Sequence, residues 1–247
     1  MPAVEDAAMS PSEGPLSRRS FLERGAAAVG ALALPRWAAD APVRVAPYLT
    51  IWPRSEWADG RYPKGPMSVE KPWNVKILLV HHTVGSNSYT KAAVPGIIRG
   101  IYEYHTGPKG WPDVAYNFLV DRYGRAWEGR KGSIREPVIG DATGGNQGFD
   151  QKCVFMGDHR TVPPTEAAMD KMVRLLAWLA TRYTIDPSPG EKVSFVSRGS
   201  NKWPEGTRVT ARTISGHREL SYTDCPGDAV YSRIPDIQAD VAAIVEG

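Results

Sequence analysis

His217 and Cys225 stand with seven residues between them in the stretch TISGHRELSYTDCPG, residues 213–227. Imidazole and thiolate are both good zinc ligands. Pro226 suits the first turn of a helix, and the apolar run Ala229-Val230-Tyr231 follows it, which predicts Cys225 at or beside a helix N-cap. The partial positive charge of a helix N-terminus favours thiolate over thiol. Two ligands do not make a site. A third is offered by Leu78-Leu79-Val80-His81-His82-Thr83, an apolar run that delivers two histidines to its C-terminal end. Two His and one Cys leave the fourth tetrahedral position open to water, the pattern of a catalytic zinc and not of a structural one. Taken singly, a His at a strand end is ordinarily a satisfied polar residue and a buried Cys an inert small hydrophobe. The combination is what points to one bound zinc.

The elements that must position these residues are legible as an α/β pattern. Val75–Val80 reads as a central strand, broken only by Lys76. Val94, Ile97, Ile98, Ile101, Tyr102 and His105 fall at helical spacing, with Pro95 in the first turn and Gly107-Pro108 at the end. Ala115–Val120 reads as a strand, Asp121–Gly124 as a turn and Arg125–Glu128 as its hairpin partner. Pro137–Gly140 and Lys152–Met156 read as short strands around the Gly-rich loop Asp141–Asp150. Pro164–Tyr183 is the longest predicted helix, and Ile234–Val245 the last. Val193–Val209 reads as a hairpin-bearing excursion with a Gly/Asn/Pro-rich tip, and Thr213–Gly216 as the strand leading to His217. The expected architecture is a single domain with a central mixed β-sheet flanked by about three helices. Pro47–Trp73 reads as loop, with Trp52, Trp57 and Trp73 anchoring it to the core.

The first 41 residues read differently. A polar stretch precedes Ser17-Arg18-Arg19-Ser20-Phe21-Leu22, and the weakly apolar run GAAAVGALAL follows at residues 25–34. That run is too short to span a bilayer. A basic pair, a short apolar core and small residues near Ala39-Asp40-Ala41 make a signal peptide, and the twin arginine resembles the bacterial twin-arginine export signal. The expected organisation is a signal over 1–41, a loop segment over 42–74 and one domain over 75–247. The expected product is exported, without a membrane span in its mature form. Net charge is only +3, and no Lys/Arg block or basic helix is present, which argues against nucleic acid. The two cysteines, Cys153 and Cys225, allow one disulfide in an exported protein. If Cys225 holds zinc, Cys153 is a core residue of its strand.

The ordered set of motifs resembles a known family. Arg54-Ser-Glu-Trp57, Val80-His-His-Thr83, Trp111-Pro-Asp-Val-Ala-Tyr-Asn-Phe-Leu-Val-Asp121, Trp127-Glu-Gly-Arg130, Phe155-Met-Gly-Asp158, Gly216-His-Arg-Glu219 and Cys225-Pro-Gly227 are similar to motifs of the zinc N-acetylmuramoyl-L-alanine amidases, which share a fold with peptidoglycan recognition proteins. The resemblance implies that His81, His217 and Cys225 bind the zinc. It implies that the Tyr at 116 assists the attacking water and that Thr223, two residues before the Cys, is a second helper. His82 is expected on the opposite side of its strand, because successive side chains alternate. Relatives often carry a His in the Gly-rich loop where this chain has Ala142, a departure that bears on peptide-stem preference.

Hydrolysing an amide needs a nucleophile and a stabilised oxyanion, and zinc supplies both. Tyr116 is placed to orient water or donate to the oxyanion. His105, Trp111 and Arg130 are candidate substrate contacts, and Glu128 a candidate acid or base or else a solvated hairpin residue. The expected partner is peptidoglycan, as muramyl peptide, met by a monomer. Two other readings stand beside the amidase. One is a recognition module that binds peptidoglycan without cutting it, against which the presence of Cys225 argues. The other is a Cys/His peptidase with Cys225 as nucleophile and His217 as base, which leaves His81 unemployed.

Overall fold

The computed structural model describes residues 42–247, so the twin-arginine reading of residues 1–41 falls outside the described residues. The central element is β3 (Ile77–His82), all six residues buried. It is flanked on one side by β6 (Asp150–Phe155) and on the other by β9 (Ile214–Gly216), both parallel to it. Strands buried on both faces read as continuous apolar runs, as ILLV does here. Beyond β6 lie β4 (Phe118–Val120), β5 (Ala126–Glu128), β2 (Leu49–Trp52) and β1 (Val43–Ala46). The seven strands run in the order β1-β2-β5-β4-β6-β3-β9, with antiparallel pairs at β1/β2 and β4/β5. The sheet is mixed, as the alternation of elements predicts.

Alternation along the strands divides the core. Leu78, Val80, Phe118, Val120, Cys153 and Phe155 face the long helix α3 (Glu166–Tyr183) and α5 (Ile234–Glu246). Thr165 caps α3 by accepting the Ala168 N–H at 3.2 Å. On the opposite face, Leu119, Trp127 and Val154 pack against Ile98 and Tyr102 of α2 (Val94–Thr106) and Trp57 of the one-turn helix α1 (Ser55–Ala58). The same face continues at Ile77 and Leu79, which are covered by the hairpin of β7 (Lys192–Val196) and β8 (Arg208–Arg212) through Phe195, Val209 and Ala211. His81 emerges between these two coverings. A further one-turn helix, α4 (Asp228–Tyr231), precedes α5. Among the described residues no helix is long and apolar enough to cross a membrane.

Four local expectations need correcting. The 42–74 segment is not simply loop: β1 and β2 extend the sheet, because Leu49 and Ile51 alternate into the α3-facing core. Trp57 is buried as an anchor, but Trp73 is 71% exposed. Pro137–Gly140 forms only an isolated bridge between Val138 and Val69. The strand expected from Ala115 begins at Phe118, because the segment before it is held by loop contacts described below.

Candidate metal centre

Strand register brings the first two candidate ligands together. Val80 of β3 pairs with Gly216 of β9, so His81 and His217 leave the sheet side by side. Their ring centroids are 4.3 Å apart. His217 opens a single 3₁₀ turn, His217–Glu219. The residue before it must be glycine, since a Cβ at 216 would lie 2.7 Å from the Tyr231 ring and 3.0 Å from Pro226. Cys225 is drawn in by backbone bonds: the Arg218 N–H donates to the Cys225 carbonyl at 2.9 Å. The His82 N–H donates to Cys225 Sγ at 3.4 Å. Cys225 Sγ lies 3.5 Å from His81 Nδ1. One donor atom from each of His81, His217 and Cys225 falls within 4.8 Å of the others.

The donor set fits zinc. Nitrogen and sulfur ligands on a tetrahedral zinc stand about 3.6 Å apart, given bonds of ~2.1 and ~2.3 Å. The His81–Cys225 separation of 3.5 Å matches that edge. His217 Nε2 is buried without a hydrogen-bond partner, a cost that buried polar atoms carry only with a reason. Burial holds the His81 imidazole well below its ordinary pKa, with His217 and Lys152 adding to the effect. Burial pushes His217 down to about 4, and the charge of Lys152 contributes. Both rings are therefore neutral at pH 7, the form that binds metal. A hydrogen bond to the Thr143 backbone orients the His217 ring, and the same Thr143 carbonyl accepts the Ser221 hydroxyl. Such outer bonds fix a ligand's tautomer and direction.

Cys225 overturns one expectation. Helix α4 starts at Asp228 with Gly227 as N-cap, so Cys225 lies two residues upstream of the cap and not at it. Burial pushes its thiol up to about 12, against the smaller opposing pull of the His82 N–H and Arg218. Its surroundings, not a helix terminus, set its proton affinity, and a metal bound there would remove the proton. Cys153 is buried in β6 and unpaired, so the two cysteines form no disulfide.

The remaining predicted residues fall into two groups. Tyr116, in the loop before β4, sets its ring 5.4 Å from His81 and 5.4 Å from His105. Burial raises its phenol well above the ordinary value and the Cys225 sulfur adds to the rise, so Tyr116 is a neutral donor. His105, near the end of α2, accepts the Ala115 N–H on Nδ1 at 3.0 Å, which pins the Tyr116 loop. Trp111 lies 5.0 Å from the His105 ring, on the outer side of the same wall. Thr223 Oγ1 accepts the Cys225 N–H at 3.2 Å and so holds the ligand segment.

Arg130 and Glu128 belong to the second group. Arg130 is buried and paired with Asp141 at 2.6 Å, and it also donates to the Val114 carbonyl at 3.2 Å. It ties the Tyr116 loop to the Gly-rich loop. Glu128 is buried, not solvated; its carboxylate accepts N–H groups of Gly132, Ile134 and Arg54 at 3.0, 3.2 and 3.3 Å. His82 points away from the cluster, as alternation requires, and its Nδ1 accepts the His159 N–H at 3.1 Å.

The sequence reading missed Lys152. It is fully buried on β6, paired with Asp150 at 2.5 Å, on the face that carries Leu79 and His81. Its charge bears on both candidate zinc histidines. The only signal available was a lysine and an aspartate two apart, with Gln151 between them, leading into the apolar run Cys153–Phe155.

Among the described residues, a mixed sheet that carries a Cys/His cluster at the C-terminal end of its central strand defines a peptidoglycan-recognition fold with a candidate metal site. Residues 71–228 match the family model described as N-acetylmuramoyl-L-alanine amidase, and the chain belongs to that family. Peptidoglycan-recognition protein SC2 of Drosophila simulans is 27% identical over 186 residues, covering 75% of this chain and 85% of that protein. The human N-acetylmuramoyl-L-alanine amidase is 28% identical over 185 residues, covering 73% of this chain and 27% of that protein. Among solved structures, Drosophila peptidoglycan recognition protein SD superposes with a TM-score of 0.58 at 20% identity, over 74% of this chain and 90% of that one. Human PGRP-IBETAC, solved in complex with glycosamyl muramyl pentapeptide, gives 0.56 at 24% identity, over 74% and 93%.

Proposed function

We propose that this protein is an exported zinc amidase that hydrolyses the amide between the lactyl group of N-acetylmuramic acid and the L-alanine of the peptide stem. The observation that carries the reading is the convergence of His81, His217 and Cys225 within 4.8 Å, with the Tyr116 ring tilted against His81 at 5.4 Å. Zinc bound there supplies a Lewis acid for the scissile carbonyl and a nucleophilic water near neutral pH. His81 and His217 hold the metal as neutral imidazoles, and Cys225 as thiolate. Tyr116 keeps its proton and donates to the oxygen on which charge develops. His105 positions Tyr116 through the Ala115 N–H, and Thr223 positions Cys225 through its backbone. Relatives named as amidase and as recognition protein support peptidoglycan as the partner. Arg18-Arg19 before a short apolar run supports export by the twin-arginine route.

The test is Cys225→Ser. The variant is expected to lose zinc, and with it about 4 kcal/mol of transition-state stabilisation, roughly a thousandfold in rate. A metal-free C225S protein with full amidase activity would sink the reading.

A further inference from the structure

The β7–β8 hairpin does more than cover Leu79. Its connecting segment is locked to the Gly-rich loop: the Arg198 N–H donates to Asn146 Oδ1 at 2.5 Å, and the Asn201 N–H to the Gly144 carbonyl at 2.7 Å. Gly145 and Ser200 form a β-bridge. This places Lys202 against the turn that carries His217. Its Nζ donates to the carbonyls of Arg218 and Glu219 at 3.0 and 3.1 Å. The ammonium also sits over the rings of Trp203 and Tyr222, at 5.5 and 6.0 Å. Carbonyls and ring faces hold a cation in place without neutralising it. Among the described residues Lys202 makes no ion pair, whereas the nearby Arg212 and Arg218 are matched with Glu219 and Asp228. One N–H of the ammonium and its whole charge remain available. Tyr222, 73% exposed, precedes Thr223 in the segment leading to Cys225. An unmatched cation and an exposed aromatic thus flank the His217–Cys225 side of the centre, across from the wall of Tyr116, His105 and Trp111.

We propose that Lys202 and Tyr222 form a subsite for a free carboxylate of the peptide stem, one residue beyond the scissile amide. The inference rests on the amidase reading for its choice of ligand. A carboxylate there receives a charge-assisted hydrogen bond from Lys202, and the Tyr222 ring packs on the adjoining aliphatic carbons.

The experiment compares N-acetylmuramyl-L-alanyl-D-glutamate with its isoglutamine counterpart, both with the γ-carboxyl blocked as the methylamide, so that the pair differs only by a neutral amide in place of that carboxylate. The parent protein is expected to favour the acid in kcat/KM by about tenfold, the effect of one charge-assisted hydrogen bond. In Lys202→Met the ratio falls to near one, and in Lys202→Arg it is kept. Whatever K202M costs through the His217 turn falls on both substrates and cancels in the ratio. Equal losses on both, or no preference in the parent, would overturn the subsite. If neither compound is cleaved and purified peptidoglycan fragments release no peptide either, the amidase reading fails by itself. Titrating the same pair by calorimetry then decides the subsite: preference for the acid, lost in K202M, upholds it, and equal binding overturns it.

Discussion

Cys225 Sγ stands 3.5 Å from His81 Nδ1, across a gap that joins two segments 144 residues apart in the chain. The contact pairs a thiol that burial holds protonated with an imidazole that burial holds neutral. Burial holds the thiol in its protonated form, which is not the nucleophilic one. Both are one step from acting as metal ligands, and that step is loss of the Cys225 proton.

Zinc binding should therefore release one proton between pH 6 and 8. His217 titrates at about 4, and His81 lies well below its ordinary 6.5, so the thiol alone contributes. Apparent zinc affinity is expected to rise about tenfold per pH unit in that window. Competition with a chromophoric chelator measures it. A flat profile would mean that Cys225 is already a thiolate or is not a ligand.

Tyr116→Phe removes the phenol and leaves the ring that packs on His81 and His105. Zinc content is expected to be unchanged and kcat to fall about 100-fold, as on loss of one oxyanion donor. Undiminished turnover would reduce Tyr116 to a packing residue.

His105 titrates at about 4 because it is buried, against an ordinary 6.5. A His with a depressed folded-state value binds fewer protons folded than unfolded at pH 4–6.5. Its contribution to stability is thus whole above 6.5 and is lost as pH falls towards 4. His105→Gln should flatten the acid limb of the thermal-melting profile of the metal-free protein. An unchanged limb would place His105 in solvent.

The Lys152–Asp150 pair is fully buried, and such pairs contribute little net stability yet are costly to break singly. Lys152→Met is expected to destabilise by about 3–5 kcal/mol, and Lys152→Met with Asp150→Leu by far less. Urea melts of the two variants measure the difference. Equal destabilisation would show that the pair is not coupled.

The sequence was most readable where one residue type had one physical use. The run ILLVHH announces a central strand because nothing else buries four aliphatics in six residues on both faces. His217 and Cys225 were legible as a candidate pair from residue types alone, and the structure brings them together with His81. What the sequence hid was three-dimensional. The depth at which Cys225 is buried decides its proton affinity, and no spacing rule carries that; the helix-terminus argument fails because the helix begins at Asp228. In the sequence Glu128 reads as an acid or base or a solvated hairpin residue and Arg130 as a substrate contact, and they are taken up by backbone N–H groups and by Asp141. Strands β1 and β2 escaped because each is four residues long, and β2, which carries β1 beside it, gains its place by pairing with the distant β5.

The most direct test of the amidase account is mass spectrometry of purified peptidoglycan fragments after incubation with the protein, with and without a zinc chelator. The account predicts free peptides beginning at L-alanine, abolished by the chelator and restored by added zinc. Cuts inside the peptide stem that are indifferent to chelation, or intact fragments with the protein merely bound to them, would contradict it.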